Sequence, residues 1–107
     1  MTIVGTRPEL IKLSRIIAEL DRRVHHTLVH TGQNFDFELN GIFFRELEIR
    51  KPDYFLRAAG SNAVRTIAQV IVKVDDVLAR HRPDAVLIYG DTNSCLAAIA
   101  WKRRRIP

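Results

Sequence analysis

The chain has 107 residues, 47% hydrophobic and 27% charged, which are the proportions of an ordinary globular domain and exclude a disordered segment. No apolar run approaches the ~18 residues that cross a bilayer, and Arg7 and Glu9 interrupt the opening before a signal peptide can form. The net charge is +5, but Lys102-Arg103-Arg104-Arg105 carry most of the excess, and without them +1 remains. A nearly neutral body with a basic run near one end argues against a nucleic-acid-binding face. The single cysteine, Cys95, permits no internal disulfide and fits a reducing cytoplasm.

Met1 to Val4 reads as a short strand stopped by Gly5. Thr6-Arg7-Pro8-Glu9 then opens a helix: Thr6 can cap, Pro8 suits the first turn, and Glu9 stands three residues after Thr6 as in a capping box. Leu10, Ile11, Leu13, Ile16, Ile17 and Leu20 follow at helical spacing. Val24 to Thr31 reads as a second strand, with His26, Leu28 and His30 on one face, and ends at Gly32. Phe35 to Leu47 is expected to be a short helix and Tyr54-Phe55-Leu56 a brief strand. Gly60-Ser61-Asn62 opens the longest helix, whose apolar face is read as Val64, Ile67, Ala68, Ile71, Val74 and Leu78 before Pro83 stops it. Ala85 to Tyr89 has no polar interruption, as expected of a strand buried on both faces of a parallel sheet. A last helix runs from Ser94 to about Arg104. Strand and helix alternate four times, which predicts an α/β class with a parallel sheet and helices on both faces. The chain ends at Ile106-Pro107, where the alternation calls for another strand.

Ligands of open parallel sheets bind beyond the carboxyl ends of the strands. Three polar, glycine-punctuated loops should meet there: Gly5 to Glu9, Thr31-Gly32-Gln33-Asn34, and Gly90-Asp91-Thr92-Asn93-Ser94. Arg7, Lys12 and the free N–H groups of a helix start suit an anion; capping with solvated cations explains the same residues. Asp91 is a candidate general acid or base if partly buried, while Asp91, Thr92 or Asn93 equally serves as a helix cap. No G-x-G-x-x-G or P-loop is present. Cys95 has no identifiable base partner and reads as a small buried residue. His26 and His30 lack acidic or cysteine neighbours for a metal site. Phe43, Phe44 and Trp101 read as core, and Lys102 to Arg105 as a solvated helix end.

Val4-Gly5-Thr6-Arg7-Pro8-Glu9-Leu10-Ile11-Lys12 resembles the opening of the non-hydrolysing UDP-N-acetylglucosamine 2-epimerase family. Thr31-Gly32-Gln33, Lys51-Pro52-Asp53-Tyr54, Arg82-Pro83-Asp84 and Gly90-Asp91-Thr92 follow in the family's order. The resemblance implies a GT-B-type fold of two Rossmann-like domains, with residues 1–107 an incomplete first domain and the C-terminal domain absent. It implies inversion at C2 of a UDP-N-acetylhexosamine by elimination and re-addition of UDP, without nicotinamide or metal cofactor, in a cytoplasmic enzyme that is a homodimer at full length. Position by position, Arg7 and Lys12 match substrate-binding residues and Asp91 an acidic residue of the proton transfers.

Asn34 replaces the family's usual histidine. Together with Phe35-Asp36-Phe37 and Asn93-Ser94-Cys95, it is similar to a branch acting on UDP-linked 6-deoxy amino sugars, on the route to UDP-N-acetyl-L-fucosamine for surface polysaccharide. The family's His-Glu-Ala-Gly-type stretch is not within the 107 residues, so the chain alone is expected to be inactive. The competing readings are a GT-B glycosyltransferase fragment, against which the opening motif speaks, and a basic nucleic-acid-binding module.

Overall fold

The computed structural model describes residues 1–34 and 44–107. Phe43, the Phe35-Asp36-Phe37 motif and most of the helix expected over Phe35 to Leu47 lie outside the described residues. Three short parallel strands, β1 (Thr2–Val4), β2 (Leu28–His30) and β3 (Tyr54–Phe55), form a sheet in that order. Ile3 stands opposite Val29, and Val29 opposite Tyr54.

Alternation along the strands sorts the core into two layers. Val4 and Leu28 pack with Leu10, Leu13 and Ile17 of α1 (Arg7–Arg23), and with Phe44 and Ile49. Ile3 and Val29 pack on the other face with Val70, Val74, Val77 and Leu78 of α2 (Ala63–His81), and with Ala97, Ala100 and Trp101. This is a Rossmann-like α/β arrangement with helices flanking both faces of a parallel sheet. Among the described residues no helix is long and apolar enough to cross a membrane.

The helix starts follow the local chemistry. The Thr6 side chain accepts from the Glu9 amide while Glu9 reaches back to the Thr6 amide, a complete capping box. Asn62 caps α2 by accepting from the Arg65 amide at 2.9 Å, and α2 stops at Arg82, left-handed with φ 44°, just before Pro83. The buried face of α2 matches the expected one at Val74 and Leu78 and differs from it elsewhere. Val64 is 75% exposed, and the buried stripe runs through Thr66, Val70, Val74 and Val77. Apolar residues surround this helix, so periodicity alone could not orient it. Thr66 is drawn inward because its hydroxyl donates to the Asn62 carbonyl and accepts from the Gly60 amide.

Two strands are corrected. The second strand is confined to Leu28–His30, with hydrogen bonds to β1 also at the Thr27 carbonyl (2.9 Å, from Thr2 N) and from Thr31 N to the Val4 carbonyl (2.8 Å), while Val24, 54% exposed, is the C-terminal cap of α1. Ala85 to Tyr89 is not buried on both faces. It lies beside β1 on the side away from β2, bridged to Thr2 at Leu87 and hydrogen-bonded through Val86 N to the Pro107 carbonyl at 2.8 Å. Ala85 and Tyr89 are exposed and the residues between them half-buried. The last helix begins as a 3-10 turn, Asn93–Ala97, before α3 (Ala98–Arg103).

At the amino ends of the strands a polar network ties α1 to the sheet. Arg50 bonds Asp21 at 3.1 Å and Asp53 at 3.0 Å, and Asp53 accepts from the Leu28 amide at 2.7 Å. His26 belongs to this network and not to a face shared with His30. Its Nδ1 is 2.6 Å from Asp21 Oδ1 and its Nε2 2.7 Å from Thr2 Oγ1. Hydrogen bonds from Arg50 and from Leu28 N hold the Asp53 carboxyl below its ordinary pKa against the opposing effect of burial, the largest single influence. Arg104, from the basic run, forms a two-point ion pair with Asp75 of α2 at 2.6 and 2.9 Å.

Candidate functional site

At the carboxyl ends of the strands the three glycine-punctuated loops do converge, and Gly5 is where they meet. A Cβ on Gly5 would lie 2.2 Å from Thr31 Oγ1, 2.4 Å from Ser94 Oγ and 3.0 Å from Gln33 Cδ. Only a residue without a side chain lets the first loop enter between the other two. Gly32, with φ +62°, is equally constrained, because its Cβ would meet the Phe55 ring at 2.7 Å and the Arg57 amide nitrogen at 2.8 Å.

Glu9 joins the first loop to the third. Its side chain is buried, and Oε2 accepts from Gly5 N at 2.7 Å, Thr6 N at 2.8 Å and Thr6 Oγ1 at 3.0 Å. Its other oxygen, Oε1, accepts from Thr92 Oγ1 at 2.8 Å, across 83 positions of sequence. Thr92 Oγ1 in turn accepts from Ser94 N at 3.3 Å, so Thr92 is the cap of the 3-10 turn. Asp91 is not that cap. From its spacing Glu9 reads only as a local capping residue, because the capping box accounts for one carboxylate oxygen and gives no hint of the second.

The three candidate residues are placed as follows. Arg7 is the first residue of α1, and Lys12 lies one turn further; both are exposed. At 3.6 residues per turn they stand about 140° apart round the helix, on opposite flanks of its buried stripe. Asp91 lies on the exposed loop between Gly90, with φ +131°, and Thr92. The partial burial that would favour a proton-transfer role is therefore absent within these residues. Cys95 is half-buried where a buried residue was expected, with its Sγ against the Gly90 carbonyl. Among the described residues no group of three or more histidine, cysteine, aspartate or glutamate side chains could hold a metal ion.

Three buried side-chain oxygens round Gly5, Thr31 Oγ1, Gln33 Oε1 and Ser94 Oγ, have no hydrogen-bond partner among the described residues. Buried polar side-chain atoms are nearly always hydrogen-bonded, so three such oxygens round one glycine stand apart from an ordinary core.

His30 sits beneath the second loop, its ring stacked on Phe55 at 4.9 Å and its Nδ1 accepting from the Gly32 amide at 3.0 Å. Burial lowers its pKa from 6.5 to about 4. The unfolded chain therefore takes up a proton near pH 6.5 that the folded chain refuses until about pH 4. Stability from this group is fully present above pH 6.5 and lost as pH falls toward 4, about 2 kcal/mol of it by pH 5. Urea unfolding at pH 7 and pH 5 should show this loss in the parent and not in His30→Gln. Parallel pH profiles would show that His30 is not buried in its neutral form.

The sequence profile of the UDP-N-acetylglucosamine 2-epimerase family matches residues 18–107. A UDP-N-acetylglucosamine 2-epimerase homolog of Methanococcus maripaludis is 45% identical over 108 residues, which are 99% of this chain and 30% of the relative. The structure of UDP-N-acetylglucosamine 2-epimerase from Rickettsia bellii superposes with a TM-score of 0.90 at 64% identity, over 100% of this chain and 29% of that one. The Methanocaldococcus jannaschii UDP-GlcNAc 2-epimerase, crystallised with UDP-GlcNAc and UDP, superposes at 0.89 with 33% identity, over 98% of this chain and 30% of that one. The chain thus spans about three-tenths of the length of these relatives. On this match of profile and fold, the chain belongs to the UDP-N-acetylglucosamine 2-epimerase family.

Proposed function

We propose that residues 1–107 supply one wall of a UDP-sugar site in an enzyme that inverts C2 of a UDP-N-acetylhexosamine. The observation that carries this reading is the junction at Gly5, where three loops at the carboxyl ends of parallel strands are locked together beside a helix start. The chain forms part of the first domain of a two-domain GT-B-type enzyme, and the second wall comes from the other domain.

The reaction is redox-neutral. A base removes the C2 proton, the bond from C1 to the UDP oxygen breaks, and a 2-acetamidoglucal and UDP form. UDP then re-adds through the same oxygen at C1 while a proton reaches the opposite face of C2. Departing UDP gains negative charge, which Arg7, Lys12 and the positive end of α1 are suited to stabilise. Asp91 is the chain's own candidate for a proton carrier. The carboxylate is exposed in this chain, and in the proposed enzyme the second wall covers it.

The cytoplasmic setting and the homodimer of the full-length enzyme belong to the same proposal, the first supported by the lone Cys95 and the second by family resemblance. The two-point pairing of Arg104 with Asp75 supports a reading without a nucleic-acid partner.

The test uses a complete polypeptide in which residues 1–107 replace the matching stretch of the Rickettsia bellii enzyme. Incubated with UDP-GlcNAc in heavy water, it should exchange the C2 hydrogen and form the C2 epimer, while the 107-residue chain alone should do neither. A folded, complete polypeptide that leaves C2 protonated with every UDP-N-acetylhexosamine offered would refute the proposal.

A further inference from the structure

The hydrogen bond between Thr92 Oγ1 and Glu9 Oε1 has a role that capping does not explain. Glu9 is already fully used as a capping residue by Oε2, which takes three donors from Gly5 and Thr6. Its Oε1 is not needed for that task and instead holds Thr92, the residue immediately after Asp91, at 2.8 Å. The glutamate is 1% exposed, so neither contact is exchanged cheaply for water. The other hydrogen bonds of the loop it grips are local, including those from Cys95 N to the Thr92 carbonyl at 3.0 Å and from Cys95 Sγ to the Gly90 carbonyl, and neither of these ties it to the first loop. Gly90 and Asp91 are exposed, and Gly90 has open space where a side chain would stand.

We propose that Glu9 and Thr92 form a positioning pair that fixes the Asp91 loop against the helix start bearing Arg7. The proposal rests on the function assigned above, since it concerns where Asp91 is held and not what the enzyme acts on. A carboxylate is suited to the task. It is acceptor-only, so one oxygen can gather the amides of the first loop while the other takes the Thr92 hydroxyl without competition. Thr92 meets both demands with one hydroxyl, donating to Glu9 and accepting from Ser94 N. The bond thus spans the two loops that carry the proposed anion-stabilising and proton-carrying residues, and neither partner touches substrate in this account.

Misplacement of a reacting group by about 1 Å costs on the order of 100-fold in rate. In the complete polypeptide, Thr92→Val keeps the shape of the side chain and removes the hydroxyl. It should lower kcat for C2 exchange about 10- to 100-fold and leave KM for UDP-GlcNAc within about 2-fold. Thr92→Ser restores the hydroxyl and should return kcat to within about 3-fold of the parent. A purely structural role predicts a different result: a lower melting temperature for Thr92→Val, with kcat per folded molecule unchanged at 25 °C. That outcome, or failure of Thr92→Ser to rescue, overturns the positioning pair while leaving the epimerase reading intact. Absence of exchange in the parent polypeptide overturns both.

Discussion

Replacing Gly5 with alanine is expected to lower the unfolding free energy of the chain by about 3 kcal/mol and its melting temperature by roughly 15 °C. The added methyl would lie 2.2 Å from Thr31 Oγ1 and 2.4 Å from Ser94 Oγ, both closer than any packed Cβ approaches an oxygen. Neither neighbour can retreat into solvent, because Thr31 and Ser94 are fully buried. Thr31 is β-branched, so turning its χ1 only exchanges an oxygen for a methyl group. The remaining relief is separation of the loops, which would lengthen the Thr92–Glu9 contact as well. Trp101, the only tryptophan and buried in the layer beside α2, reports the transition by fluorescence in urea.

A further comparison identifies the cause. Thr31→Ala and Ser94→Ala each remove an oxygen that the new methyl would meet, and both oxygens lack partners among the described residues. Their loss therefore sacrifices no hydrogen bond among the described residues. In the double-alanine background Gly5→Ala should cost less than about 1 kcal/mol, a coupling expected of groups in direct contact. An equal cost in both backgrounds would place the strain elsewhere, and a cost below about 1 kcal/mol in the parent would mean that the loops do not meet at Gly5.

The same junction shows which parts of the molecule the sequence could declare. The α1 start was legible to the residue, because Thr6, Pro8 and Glu9 act on their own neighbours and local chemistry suffices. The meeting of the three loops was legible as topology, since parallel strands must release their loops on one edge. The Glu9–Thr92 bond was not, because the capping box already explained Glu9 and nothing local demands a second contact. Likewise the Arg50 network joins Asp21, His26 and Asp53 across the amino ends of the strands through contacts that no spacing rule encodes. The face of α2 was legible at Val74 and Leu78 and not at Val64 or Thr66, for a related cause. Apolar composition says that a segment favours the fold, but its neighbours decide which side is covered.

Asp91→Asn provides the sharpest separation of chemistry from structure. Asp91 is exposed and lies outside the hydrogen bonds that hold its loop, which run through Thr92 and from Cys95 to the Gly90 carbonyl. Its amide replacement should change stability by no more than about 0.5 kcal/mol. In the complete polypeptide the same change should lower C2 exchange by about 100- to 10,000-fold, the range associated with loss of a positioned acid or base. KM for UDP-GlcNAc should change little, because a proton carrier acts in the transition state and contributes less to ground-state binding. Lys12→Ala provides the contrast. A cation that holds the diphosphate and also stabilises the charge departing UDP gains should, when removed, raise KM as well as lower kcat. If Asp91→Asn instead exchanged C2 at the parental rate, the proton carriers would belong wholly to residues outside this chain. This chain would then contribute binding and geometry alone, through Arg7, Lys12 and the locked loops around Gly5.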